Sequence, residues 1–141
     1  GIIDEEMVEE EPVSLSLPYA ELGKATRGRR ISGAIFKTTV DNTHPLAFGI
    51  RQELPIFRNH TDKMKPSKKP GANLAVYANN PLISGYLPGD QKGKIDRTAS
   101  IIARRSESGS VILFLDNPVF RGHWWGTSRL FLNSVFFGNL F

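Results

Sequence analysis

Apolar residues along this chain fall into short extended runs parted by polar, proline-rich and glycine-rich stretches, the pattern of a sheet with few helices. Ile31 to Val40 predicts a first strand and Leu74-Ala75-Val76-Tyr77-Ala78 a second. Thr98 to Arg105 and Ser110 to Asp116 flank Ser106-Glu107-Ser108-Gly109 and predict a hairpin. Within it, Val111 to Leu115 is apolar without alternation, so both faces of that strand are expected to be covered. Residues 51–72 carry Pro55, Pro66 and Pro70 and read as a long exposed loop, with a short strand near Leu54–Phe57.

One pattern recurs three times. His44-Pro45-Leu46-Ala47-Phe48-Gly49, Asn80-Pro81-Leu82-Ile83-Ser84-Gly85 and Asn117-Pro118-Val119-Phe120-Arg121-Gly122 each follow a strand-like run. Proline cannot donate to a sheet ladder and biases its predecessor away from helix, so each copy predicts a strand end. The last apolar segment predicts a helix over Arg129–Phe137, capped by Thr127 or Ser128 and leaving at Gly138. Its polar stripe is narrow, Arg129 and Asn133, which predicts burial on most sides. The expected fold is α/β, or α+β if the chain is a fragment: a mixed sheet with a C-terminal hairpin and a buried C-terminal helix.

The 141 residues suit one domain, which at this size buries roughly 70% of its unfolded surface. The opening Gly1-Ile2-Ile3-Asp4 carries no signal peptide and reads as a cut inside a longer protein. No apolar run approaches the roughly 20 residues that span a bilayer, and no membrane contact is expected. With no cysteine, disulfides, thiolate metal sites and cysteine nucleophiles are excluded together. The net charge of +4 conceals an asymmetry: Asp4, Glu5, Glu6, Glu9, Glu10 and Glu11 crowd the first eleven residues, and every base lies beyond them. Such a leader either screens a basic face or is a solvated linker; residues 1–30 read as the linker and 31–141 as the module.

Catalytic chemistry finds little footing. His44, His60 and His123 lack the spacing of metal ligands and are given structural or solvent roles, so no metal site is expected. Gly89 to Lys94 imitates a phosphate loop but is one residue short, with Ile95 where the magnesium hydroxyl belongs. There is no Gly-x-Ser-x-Gly elbow, and no catalytic residue is assigned. Basic patches at Arg27/Arg29/Arg30, Lys63–Lys69 and Arg104/Arg105 are not interleaved with aromatics, and nucleic acid is the third-ranked partner.

The candidate binding residues are Asp116, Arg121, His123, Trp124 and Trp125, between the last strand and the last helix. Free backbone N–H groups of a helix start, with Arg121, would suit an anion or carboxylate. The structural alternative pairs Arg121 with Asp116 and uses the tryptophans as a core plug.

Thr43 to Gly49, Asn80 to Tyr86, and above all Val111-Ile112-Leu113-Phe114-Leu115-Asp116-Asn117-Pro118 through Gly122 and Gly126 to Asn133 carry a resemblance. Over residues 31–138 the chain resembles the C-terminal part of bacterial zinc carboxypeptidase-family proteins with a class I glutamine amidotransferase-like domain behind the peptidase domain. That resemblance implies the second half of an amidotransferase-like, flavodoxin-like fold. It implies an exported parent, periplasmic or secreted, whose zinc and catalytic groups lie in the peptidase domain. No cofactor is expected in this segment, and without a cysteine it lacks the family's glutaminase nucleophile. The first expectation is a non-catalytic accessory module for packing, assembly or substrate presentation, partnered by the peptidase domain and by self-association through open sheet edges. The second is a stand-alone ligand-binding domain around Arg121.

Overall fold

A computed structural model describes residues 5–10, 12–14, 16–107 and 109–141. Asp4 and Glu11 of the acidic run, and Ser108 of the hairpin turn, lie outside them. Five strands form one curled sheet: β1 (Ala34–Val40), β2 (Glu53–Arg58), β3 (Asn73–Gly85), β4 (Ala99–Ser106) and β5 (Gly109–Phe114). Their order is β2-β1-β3-β4-β5, and every pairing is antiparallel. Two helices accompany them, α1 (Tyr19–Arg27) and α2 (Trp125–Phe137). The architecture is α+β. A mixed sheet was expected, and the described ladder contains no parallel pair.

The hairpin forms as predicted, with Ser106 opposite Gly109 and Ile101 opposite Phe114. Burial is distributed differently. β5 is an edge strand whose side chains are half-buried, whereas β4 is buried from Ala99 through Arg104. The apolar run in β5 gains partial cover on both faces, Ile112 and Phe114 against one core cluster, Leu113 and Leu115 against another. β4, central in this half of the sheet, is enclosed on both faces: Ile101 and Ala103 enter one core cluster and Ala99 and Ile102 another. At the other edge, β2 accommodates Pro55, whose missing N–H costs nothing where no further strand pairs.

Only two of the three proline exits are strand ends. His44-Pro45 leads from β1 into a 3₁₀ turn at Pro45–Ala47, and Asn117-Pro118 follows β5. Asn80-Pro81 lies inside β3. There Phe36 pairs with Leu82 and Thr38 with Tyr77, so two steps along β1 answer five along β3. The surplus residues bulge out around Asn80, at φ 47°, and the strand resumes beyond them. Gly85, at φ 98°, then closes on β1 so tightly that a Cβ would stand 2.8 Å from Ala34 Cα.

The terminal helix begins four residues earlier than predicted and buries only one narrow face. Thr127 is inside it, donating its hydroxyl to Pro118 O at 2.6 Å, and Trp124 holds the cap position. Gly138 ends it with ordinary right-handed geometry, φ −57°. Only Thr127, Leu130 and Asn133 are buried. Leu130 joins the main core cluster with Val40, Leu46, Leu54, Ile56 and Leu74. Of the polar stripe Arg129 stays exposed and Asn133 turns inward, its Nδ2 donating to Leu46 O at 2.8 Å and Phe48 O at 2.9 Å and satisfying carbonyls of the 3₁₀ turn. Val135 and Phe136 are consequently 66% and 75% exposed. The expected burial on most sides does not occur.

Residues 19–27 form α1, where linker was expected, and the acidic run is docked. Met7 bridges Met64, which in turn bridges Ala99 at the start of β4. Of that run, residues 5–10 lie along the body, and Glu5, Glu6 and Glu10 meet Arg104, Lys65 and Lys63, where the linker reading expected solvent.

Candidate functional site

The most polar part of the interior lies beneath the β2 exit. Arg58, the last residue of β2, is wholly buried. Alternation along β2 points Leu54, Ile56 and Arg58 inward, so the strand delivers a guanidinium into the core. Its Nη1 donates to the Tyr77 hydroxyl at 3.0 Å and lies 3.7 Å from Asp116 Oδ1. Its Nε donates to His60 O at 3.1 Å, and Nη2 donates to Asp62 O.

Asp116 is the counter-charge, only 4% exposed. Tyr77 donates its hydroxyl to Oδ2, Ser100 donates to the same oxygen at 3.1 Å, and His60 Nε2 donates to Oδ1 at 3.1 Å. A buried carboxylate needs this many donors to offset lost hydration. Burial and the neighbouring Asp116 charge hold the Tyr77 phenol far above its ordinary pKa, the Arg58 charge opposing them. Tyr77 therefore stays a proton donor at any physiological pH.

The network's mechanical effect is to pin residues 59–62. Arg58 clamps the main chain at His60 and Asp62, while Asp116 holds the His60 ring. The His60 Nδ1 atom is enclosed, 3.7 Å from Asp62 Oδ2, without a hydrogen bond among the described residues.

The pinned segment forms one wall of a cleft of about 560 Å³. Asn59, His60, Thr61 and Asp62 line that wall, Arg29, Arg30 and Thr26 at the end of α1 another, and Glu10, Pro12 and Val13 close the third side. Glu10 and Arg29 also line a neighbouring cleft of about 680 Å³ with Lys63, Asp90, Gln91 and Lys94. Glu10 is engaged by Lys63 Nζ and by Gln91 Nε2 at 3.1 Å. Burial disfavours its charge, but those hydrogen bonds outweigh burial and keep its pKa below the ordinary carboxylate value.

The residues singled out from sequence are not brought together. Asp116 is internal, paired with Arg58 and His60 instead of Arg121. Arg121, at φ 52°, is exposed and lies over its neighbour Phe120 at 5.2 Å. His123 and Trp125 are exposed, Trp125 at 79%. Trp124 is half-buried against Phe57, ring centroids 6.0 Å apart, so one tryptophan meets the packing role and the other does not. His44 has the structural role expected of it: its Nδ1 accepts from Leu46 N at 3.2 Å, and burial lowers its pKa against the pull of Asp41. His60 was passed over in the sequence, since its partner lies 56 positions away and no local spacing announces it.

Among the described residues no group of three or more His, Asp or Glu side chains is placed to hold a metal ion. No described helix is long and apolar enough to cross a membrane. Compared with known proteins, the chain matches no family model, no curated protein and no solved structure.

Proposed function

We propose that this chain is a non-catalytic binding module that holds a small carboxylate-bearing ligand, such as the C-terminal residue of a peptide, in the cleft between α1 and the β2 exit. The observation that carries this reading is that Arg29 and Arg30 face a wall, residues 59–62, immobilised by the Arg58–Asp116 network. A guanidinium grips a carboxylate through two parallel hydrogen bonds, and a rigid wall spares the ligand the entropy of ordering its site. Asn59 and Thr61 supply neutral hydrogen-bonding groups, and Asp62 an acceptor for a ligand N–H.

Presentation of a chain end is also what an accessory module of a zinc carboxypeptidase would do, and that parentage belongs to the same proposal. It rests on the turn sequences quoted above. In it the zinc, the hydrolysis and the peptidase partner lie in another domain of an exported protein, and the amidotransferase-like fold is part of the resemblance. The all-antiparallel sheet departs from the parallel ladder of that fold, so the cleft supports the binding role more directly than the topology supports the parentage. Nucleic acid gains less support, because Lys63, Lys65 and Arg104 are already paired with Glu10, Glu6 and Glu5.

Calorimetric titration with an N-acetylated dipeptide, free or amidated at its C-terminus, tests the reading. The free acid should bind at least about tenfold more tightly than the amide, and Arg30→Ala should remove that preference. Equal affinity for acid and amide, or no binding of either, would overturn it.

A further inference from the structure

The acidic segment occupies a seat with the chemistry of strand addition. Two main-chain hydrogen bonds, Val8 N to Lys63 O and Lys65 N to Glu6 O, both 2.8 Å, pair it with residues 63–65. Side chains then read its charge. Lys63, 1% exposed, holds Glu10; Lys65 holds Glu6 at 2.6 Å; Ser67 donates to Glu5 at 3.3 Å; and Arg104 Nε lies 3.5 Å from the same Glu5 oxygen. Two of these cations, Lys63 and Arg104, are almost wholly buried. A buried cation without a carboxylate partner is strongly disfavoured, so whatever fills this seat must bring acids at matching positions.

We propose that the seat formed by Lys63, Lys65, Ser67 and Arg104 is a strand-addition groove for an extended acidic segment of a partner protein, filled in this structure by the chain's own residues 5–10. Main-chain pairing supplies general affinity for an extended peptide, and the cations restrict it to acidic ones. The chain's own segment competes at the high effective concentration of a tethered ligand, so the groove answers a partner that is abundant or more acidic. Glu10 of the occupant also closes one side of the neighbouring cleft, but the peptide-binding readout below does not depend on what that cleft holds.

The test uses the full chain and a fluorescent synthetic peptide of residues 5–13. A chain carrying E6Q and E10Q should bind the peptide at least about tenfold more tightly than the unsubstituted chain, and adding K65E should reverse the gain. Should that double variant lose its fold by circular dichroism, E6Q alone replaces it; this change touches only an exposed pair and should still raise affinity about threefold. A peptide with lysine at every glutamate should not bind. Equal binding by substituted and unsubstituted chains, or by acidic and basic peptides, would overturn the proposal. So would a concentration-dependent dimer that the peptide dissociates, which would assign the groove to a second copy of the chain.

Discussion

Asn133 on α2 donates to two main-chain carbonyls, those of Leu46 at 2.8 Å and Phe48 at 2.9 Å. That pair of bonds orients the helix against its own hydrophobicity, since turning the apolar side inward would leave carbonyls of the 3₁₀ turn without donors. Replacing Asn133 with leucine adds an apolar group at a buried position and should nevertheless destabilise the fold by about 1–3 kcal/mol. Phe136→Glu, on the outward side, should change stability by no more than about 0.5 kcal/mol. Chemical denaturation of the two variants checks the contrast; a neutral Asn133→Leu would remove this account of the helix.

The Tyr77–Asp116 bond carries a pH signature. The folded phenol is held above its ordinary value of 10.0, first by burial and then by Asp116. Below the unfolded pKa both states keep the proton and the contribution is complete. Above it the unfolded state ionises first, and stability falls with rising pH until the folded pKa is passed. The melting temperature should therefore decline steeply above about pH 10, and Tyr77→Phe should flatten that decline while costing about 1–2 kcal/mol at neutral pH. Thermal melts between pH 8 and 11 decide it; identical slopes would mean that Tyr77 is not the group responsible.

Glu10 gives the opposite sign. Despite burial, its pKa lies below the ordinary value of 4.5 because Lys63 and Gln91 donate to it. Its contribution is present above 4.5 and is lost as pH falls through the folded pKa. Protection of the Val8 and Lys65 amides from hydrogen exchange should fade in that acid window. At neutral pH, Glu10→Gln should cost about 1–3 kcal/mol, less than for a fully buried pair because the Glu10 side chain is 31% exposed. Unchanged amide protection in acid would show that the segment is held by its main chain alone.

Much of the sheet could be read from periodicity. The hairpin, the first strand and the short strand near Leu54 are local patterns, and local patterns suffice for them. The β3 bulge could not be read, because Asn80-Pro81 looks like a strand end until β1 is seen pairing beyond it. The inward placement of Asn133 was hidden for a related reason: carbonyls some 85 positions away decide it. The same distance problem governed the candidate site. Asp116 was singled out, but its partners Arg58, Tyr77, Ser100 and His60 come from three other parts of the chain, and only folding unites them. Arg121, five positions on in sequence, was the nearer choice and turned outward.

Chemical-shift mapping with an N-acetylated dipeptide tests the binding role most directly. Amide signals of residues 26–30 and 59–62 should move together as the free acid is added, leaving residues 120–125 unchanged. Movement centred on 120–125, or none anywhere at millimolar ligand, would contradict the cleft.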